Sequence, residues 1–260
     1  MKIIKLNEID STNNFAKTLI KEGRAEDGQI IYALSQNAGR GQATNTWESE
    51  SGKNLTLSLI IEPKNIEPRN QFLISQAVSV GIVNYLKCIF GADVGTSTGS
   101  ATTSAPVNEE IHIKWPNDIY VGTKKIAGIL IENTIRDNQI LFSVIGVGLN
   151  VNQTEFSKNA GNPTSLSLIT NELYDLETEL DELATSIVIA LDYLQFDDGE
   201  DCKIRYLDYL LFLNEEREYI VRGEKITGKI IGINGTGFLQ IQAKNGTIFE
   251  CDLKEVIYII

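Results

Sequence analysis

Residues 111–132 place positively charged and hydrogen-bonding side chains close together in the chain. The segment reads I-H-I-K-W-P-N-D-I-Y-V-G-T-K-K-I-A-G-I-L-I-E, and its reactive side chains are Lys114, Asn117, Asp118 and Lys125. Gly128 would let a ligand approach the backbone closely, because glycine has no side chain. Fixed cations beside hydrogen-bonding groups stabilise negative charge, so the segment predicts a site for an anionic ligand. The alternative is a twisted hairpin whose lysines are merely solvated.

The same segment predicts the strands that would hold this site. Alternation of Ile111, Ile113 and Trp115 with polar residues is typical of a strand. Pro116 has no N–H to donate, so residues 116–118 should bend between two strands. Residues 122–123, Gly-Thr, indicate a hairpin turn that leads into a third strand. The charged corner would therefore lie at the edge of a rigid sheet.

A second polar stretch begins at Gln36 and reads Q-N-A-G-R-G-Q-A-T-N-T-W-E-S-E-S-G-K-N-L-T-L-S-L. Gly39 and Gly41 flank Arg40, so the backbone can close over a ligand while the guanidinium supplies charge. The pattern lacks the G-K-[ST] of a phosphate loop and the third glycine of a dinucleotide fingerprint. A G-x-G alone therefore leaves the ligand open.

The N-terminal residues predict a strand over 2–6 followed by a helix. Asp10 or Ser11 can cap that helix, and Gly23 marks its end. Its apolar stripe is Phe15, Leu19 and Ile20. The polar residues at its start either serve as the cap or bind the polar head group of a ligand.

A later strand, over residues 139–152, carries glycines at alternate positions. Gly146 and Gly148 remove side chains from one face of this strand, which permits either tight packing or space for a ligand.

Taken together, these motifs resemble those of the biotin protein ligases. These enzymes activate biotin with ATP and attach it to a lysine of a carrier protein. K-W-P-N-D-I followed by K-K-I-A-G-I-L-I-E is similar to their central signature. Q-x-x-G-R-G, a tryptophan and G-x-N-L-x-x-S-L resemble their biotin-binding loop and the next strand. The resemblance implies an α+β fold with a mixed, largely antiparallel sheet flanked by helices, similar to that of class II synthetases.

The resemblance also implies roles for individual residues. Lys125 and Arg40 would be catalytic. The biotin side would be formed by Ser11, Thr12, Asn13, Gln36, Gly39, Arg40, Gly41, Gln42, Lys125, Gly128, Gly146 and Gly148. The ATP and adenylate side would be formed by Trp47, Asn45, Lys114, Asn117, Asp118 and Asn150, with Trp47 offering a flat face to adenine or simply packing.

The loop departs from the family pattern at three positions. Family members often carry arginines where this chain has Gln42 and Asn45, and a glycine where it has Thr44. The loop is therefore less cationic than is usual in the family.

Composition restricts the function classes further. The chain has 260 residues, 42% of them hydrophobic, and a net charge of −12, which argues against binding duplex nucleic acid. Its three cysteines are far apart, which supports neither a disulfide framework nor a zinc site. His112 is the only histidine, so histidine-based hydrolysis is disfavoured. Without a signal peptide or a long apolar segment, we expect a cytoplasmic protein that does not bind membranes.

Two domains are expected. Residues 1–213 would form the catalytic domain, with 91–108, rich in small polar residues, as a flexible insertion. Residues 214–260 read as short strands and resemble the small SH3-like β-barrel of biotin ligases. The N-terminal DNA-binding domain of repressor-type ligases is not expected, and neither is DNA binding.

The resemblance predicts an ATP-dependent biotin–protein ligase that forms biotinyl-5'-AMP and uses biotin, ATP and Mg²⁺. The sequence does not identify the residues that would bind Mg²⁺. Its partner would be the biotin carboxyl carrier protein or domain of a carboxylase, and the enzyme would be a monomer or a weak homodimer. One alternative is a lipoate or octanoate ligase or transferase of the same superfamily. Another is a non-catalytic biotin or adenylate sensor, which the less cationic loop suggests.

Overall fold

The computed structural model describes residues 2–42, 45–91, 110–157, 161–194 and 199–259. The expected insertion at 91–108 falls almost wholly outside these residues, as does the departure at Thr44.

The main element is a seven-stranded sheet with strand order β1-β2-β3-β7-β6-β5-β4. β1 runs parallel to β2, and every other neighbouring pair is antiparallel. The strands are β1 Lys2–Ile9, β2 Gln29–Gln36, β3 Leu55–Ile61, β4 Ile111–Lys114, β5 Asp118–Val121, β6 Lys124–Arg136 and β7 Gln139–Leu149. The bend and the hairpin turn predicted around Pro116 and Gly122 are confirmed.

Helices cover both faces of this sheet. They are α1 Thr12–Lys21, α2 Phe72–Ile89, α3 Leu166–Thr170, α4 Leu176–Tyr193 and α5 Glu200–Asp208, with a short 3₁₀ turn at Pro68–Asn70. Residues Ala16 and Leu19 of α1 pack on one face, whereas α2 belongs to the larger core on the other face. Strand alternation explains the division: Ile31 and Val144 face α1, and the adjacent Ile30 and Ile145 face the larger core.

A second sheet follows in the chain. It has five antiparallel strands in the order β11-β10-β9-β8-β12. The strands are β8 Glu216–Val221, β9 Glu224–Ile233, β10 Leu239–Ala243, β11 Ile248–Cys251 and β12 Val256–Tyr258. Asn214 donates its backbone N–H to the carbonyl of Ile230 at 2.8 Å, just before the first of these strands. The expected α+β fold class is confirmed, while the division into domains at 213–214 and the closure of the second sheet into a barrel stay predictions.

One helical stretch, Pro68–Ile89, is long and apolar enough to cross a membrane, with a mean hydropathy of 1.5. The protein itself buries 61% of this window. Buried core helices pass the same test, and α2 packs against α4 and α5 in the larger core.

Candidate active site

A cavity of about 320 Å³ lies where the start of α1, the loop after β2, and strands β5, β6 and β7 meet. Its volume is within the usual range for small-molecule sites. The residues around it that the sequence predicted are Ser11, Thr12, Asn13, Gln36, Arg40, Gly41, Gln42, Asn45, Trp47, Asn117, Asp118, Lys125, Gly128, Gly146 and Gly148. The structure therefore brings segments that are far apart in the chain to one place.

A buried hydrogen-bonded group lies at the start of α1. Thr12 donates its backbone N–H to the side-chain oxygen of Gln36 at 2.8 Å. The hydroxyl of Ser58 on β3 lies 2.6 Å from the amide oxygen of Asn13, to which it can donate, and 2.7 Å from the hydroxyl of Thr12. Because these residues hold one another in place, they form a rigid polar end to the cavity.

Ser11 occupies the N-cap position of α1 with an extended backbone. Its side chain makes no capping hydrogen bond within the described part of the chain, so of the two roles considered for Ser11, the hydroxyl does not serve as the helix cap. Ser11 is buried and lines the cavity. Its hydroxyl can therefore contact a ligand.

The glycines of β6 and β7 form the floor of the cavity. Gly128 and Gly148 pair across the two strands, and the indole of Trp47 lies on both of them. A Cβ atom at Gly148 would lie 2.3 Å from the indole, and one at Gly146 would lie 2.4 Å from the amide oxygen of Asn13. These positions exclude any side chain.

Trp47 makes the loop part of this floor. Its backbone N–H donates to the carbonyl of Gly39 at 3.0 Å, which closes the loop on itself. Its indole N–H is buried without an acceptor among the described residues. The cavity floor thus carries one unpaired donor that a ligand can use or displace.

Arg40 is tied to the sheet through Glu132 at the end of the apolar part of β6. The guanidinium lies 2.6 Å from one carboxylate oxygen of Glu132, and Lys17 lies 2.9 Å from the other. Asn13 also donates to this carboxylate at 2.9 Å. Burial acts to raise the pKa of Glu132, but the hydrogen bonds from Lys17, Asn13 and Arg40 outweigh it and hold the pKa below its ordinary value.

Lys125 supplies the cation on the opposite wall. Its ammonium lies 2.6 Å from a carboxylate oxygen of Asp118 and 5.7 Å from the centre of the Trp47 ring system. Asn117 fixes the neighbouring turn, because its side chain donates to the carbonyl of Ile129 at 2.6 Å and its own carbonyl accepts from the N–H of Ile129 at 3.0 Å. This wall thus presents a positioned cation beside a carboxylate.

Three residues expected in the site do not line the cavity. The ammonium of Lys114 lies over two tyrosine rings, at 5.4 Å from the centre of Tyr120 and 5.1 Å from that of Tyr258. The side chain of Asn150 donates to the carbonyl of Thr164 at 2.9 Å, and Gly39 packs against the carbonyl of Trp47. In this structure all three contact protein groups.

Several cavity residues were not predicted. Glu132 does not itself line the cavity, but it contacts Arg40 and Asn13, which do, and its position at the end of K-K-I-A-G-I-L-I-E was the available signal. Leu253 and Lys254 reach the cavity from the turn between β11 and β12. The remaining members are Thr46, Leu57, Trp115, Pro116, Ile129, Leu130 and Val147. Nothing in the sequence near residues 253–254 links that turn to a site in the first sheet.

The described residues contain no group of three or more His, Cys, Asp or Glu side chains that could hold a metal ion. The nearby carboxylates, Asp118 and Glu132, are each paired with a cation. These two ion pairs hold Lys125 and Arg40 in place beside the cavity.

Comparisons with known proteins agree with this geometry. The bifunctional ligase/repressor BirA of Bacillus subtilis is 26% identical over 254 residues, covering 95% of this chain and 71% of the relative. BirA of Escherichia coli is 27% identical over 235 residues, covering 90% and 67%. The solved structure of the biotin protein ligase from Aquifex aeolicus in complex with biotin and ATP superposes with a TM-score of 0.76 at 27% identity, covering 98% of this chain and 97% of that one.

A model of the biotin/lipoate A/B protein ligase family matches residues 6–150. This span includes the start of α1, the loop that contains Arg40, the hairpin that contains Lys125, and strand β7, which together form most of the cavity. Because the match extends over more than half of the chain, this protein belongs to the biotin/lipoate A/B protein ligase family.

Proposed function

We propose that this protein is an ATP-dependent biotin–protein ligase. The observation that carries the proposal is the shape of one cavity, with a buried polar group at the start of α1 and positioned cations on the loop and on β6. Such a cavity suits a ligand that has a neutral hydrogen-bonding head at one end and a negative charge at the other.

The head-group end matches the ureido ring of biotin. A ureido group offers one carbonyl acceptor and two N–H donors, and Ser11, Thr12 and Asn13 supply hydroxyl and amide groups of both kinds. The dithiolane ring of lipoate offers no comparable groups, so it could not form hydrogen bonds with these side chains. A site built to hydrogen-bond one substrate rejects an analogue that lacks the partners. The polar end therefore favours biotin over lipoate.

The first chemical step joins two anions. A carboxylate oxygen of biotin attacks the α-phosphorus of ATP, an O–P bond forms, and the bond to the bridging oxygen breaks so that pyrophosphate leaves. Lys125 and Arg40 offset the repulsion between the carboxylate and the phosphates. When the ligand binds, the guanidinium of Arg40 exchanges its contact with Glu132 for one with the ligand. The ammonium of Lys125 exchanges its contact with Asp118 in the same way.

The second step transfers biotin. The neutral amine of a carrier lysine attacks the acyl carbon of biotinyl-5'-AMP. The C–N bond forms, the amine nitrogen releases one proton to solvent, and AMP leaves with the electron pair of the broken C–O bond. We propose the biotin carboxyl carrier domain of a carboxylase as the acceptor, since the resemblance to biotin protein ligases extends over nearly the whole chain.

Magnesium enters this scheme with the substrate. ATP carries Mg²⁺ on its phosphates, and the described residues form no carboxylate cluster that would hold the ion by itself. Mg²⁺ neutralises phosphate charge, while Lys125 and Arg40 act on the reacting end of biotin and on the α-phosphate.

We further propose a cytoplasmic enzyme that acts as a monomer or a weak homodimer, without DNA or membrane partners. The net charge of −12 supports the absence of a DNA partner, because it opposes binding to a phosphate backbone. If the protein forms a weak homodimer, its average molecular mass in solution should increase with protein concentration.

The direct test mixes the protein with biotin, Mg-ATP and a biotin carboxyl carrier domain, and measures the mass of the carrier. The expected result is one added biotinyl group, lost when the acceptor lysine is replaced by arginine. Lipoate in place of biotin should leave the carrier unmodified, and its transfer would assign the lipoate activity instead. Biotin binding without release of pyrophosphate would identify a sensor.

A further inference from the structure

Lys114 links the two sheets of the protein. It is the last residue of β4, at the edge of the seven-stranded sheet, and its ammonium lies 3.5 Å from the hydroxyl oxygen of Tyr120 on β5 and 5.1 Å from the ring centre of Tyr258 on β12. The ring of Tyr258 is within the distance at which a cation is attracted to an aromatic face, whereas Tyr120 offers its hydroxyl oxygen to the ammonium. Both tyrosines are also buried, so little water competes for the charge.

Tyr258 is anchored within the second sheet. It pairs with Tyr219 across β12 and β8, and the two rings meet edge to face with centres 5.7 Å apart. A contact on the ring of Tyr258 therefore acts on the position of β12 as a whole. Trp115, beside Lys114, makes a parallel link by donating its indole N–H to the carbonyl of Gly237 at 2.9 Å.

β12 directly continues the turn that reaches the cavity. Residues 252–255 form this turn, closed by a hydrogen bond from the N–H of Glu255 to the carbonyl of Asp252 at 3.0 Å. Arg222, which directly follows β8, donates two hydrogen bonds of 3.1 Å from its guanidinium to the carboxylate of Glu255. Lys254, at the centre of the turn, has a positive φ of 70° and lines the cavity with its neighbour Leu253.

We propose that Lys114 is a positioning residue: by holding Tyr258 against the main sheet, it fixes the 252–255 turn so that the ammonium of Lys254 stands at the cavity where ATP binds. Lys114 then acts through Lys254 and contacts no substrate. The inference rests on the proposed function, because it assigns the anionic ligand near Lys254 as the nucleotide.

The kinetic test compares variants in biotin-dependent exchange of pyrophosphate into ATP. Lys114→Met keeps the aliphatic stem and removes the cation, and we expect it to raise the KM for ATP roughly tenfold. The KM for biotin should stay within about twofold, because the biotin end lies at α1 and contacts neither tyrosine. Lys114→Arg, which retains a cation over the rings, should restore the KM for ATP.

A double-mutant cycle separates positioning from direct contact. Lys254→Met should raise the KM for ATP by itself, and adding Lys114→Met should increase it by no more than about twofold further. If the two effects multiply, Lys114 acts on ATP independently and the proposal is wrong. Tyr258→Leu should behave like Lys114→Met, whereas Tyr258→Phe keeps the ring and should match the wild type.

A measurement without substrates keeps the inference distinct from the proposed activity. Hydrogen exchange of the amides in 252–258 should be faster in Lys114→Met than in the wild type, and unchanged in Lys124→Met. Lys124 is exposed and starts β6, so it is a matched control. Unchanged exchange in Lys114→Met overturns the positioning role, while a wild type inactive in pyrophosphate exchange overturns the proposed function alone.

Discussion

Lys125 and Asp118 form an ion pair of 2.6 Å across the neighbouring strands β6 and β5, at the wall of the cavity. Both side chains are about three-quarters buried, with exposed fractions of 27% and 23%. The carboxylate of Asp118 pairs with the ammonium of Lys125 and orients it before a ligand binds. An anion that enters the cavity meets a cation whose place is already fixed.

Replacing Lys125 with methionine should therefore remove the charge while keeping the stem and the strand. We expect adenylation to fall on the order of a hundredfold, about 3 kcal/mol of transition-state stabilisation, with a smaller loss of biotin binding. The assay is biotin-dependent pyrophosphate exchange, run beside a thermal melt. Lys124→Met is the control, because Lys124 is exposed and does not line the cavity. Wild-type exchange by Lys125→Met, or inactivity of Lys124→Met, would place the catalytic cation elsewhere.

Gln42 allows a test of whether the lower positive charge of the loop around Arg40 affects ligand binding. It lines the cavity in the same loop as Arg40. Gln42→Arg should slow release of biotinyl-5'-AMP, since another guanidinium adds a charge-assisted contact to the phosphate. Release can be followed by rapid filtration or fluorescence at low and high salt. Equal release rates at low salt would show that residue 42 does not face the phosphate.

The Glu132 cluster predicts a specific dependence on pH. The pKa of Glu132 is held below its ordinary value of 4.5, so its contribution to stability is fully present above that pH and is lost as pH falls through the lowered pKa. Glu132→Gln removes this ionisation. As pH falls below about 4.5, the melting temperature of the wild type should decrease more than that of Glu132→Gln. Parallel melting curves across this range would contradict the prediction.

The local parts of the site were predictable from sequence. The alternation of Ile111, Ile113 and Trp115 and the bend at Pro116 required only neighbouring residues, because side-chain alternation along a strand and the missing N–H of proline are local properties. The glycines at 146 and 148 likewise indicated a bare strand face.

Contacts between distant segments were not predictable. Alternation separates Lys114 from the apolar row of its strand, but it could not show that the ring of Tyr258 lies against Lys114. Nor could it show that Lys254 reaches the cavity from the second sheet. Such placements depend on how the two sheets pack, and no local pattern encodes that packing.

The glycine floor supports a final prediction about biotin. A Cβ at Gly146 would lie 2.4 Å from the amide oxygen of Asn13. Asn13 cannot easily retreat, because it is buried and bonded to Ser58 and Glu132. Gly146→Ala should therefore displace the residue expected to hold the biotin head.

Overpacking of this kind costs about 1–3 kcal/mol, which would correspond to roughly 5- to 150-fold in affinity. We expect this loss in the affinity for biotin measured by calorimetry, with a much smaller effect on the affinity for ATP. Gly235→Ala is the control, since nothing lies within 4 Å of a Cβ at Gly235. The folded fraction of each variant is checked by its melting curve. If folded Gly146→Ala bound biotin as the wild type does, Asn13 would not contact the head group, and the polar end of the cavity would have to be reassigned.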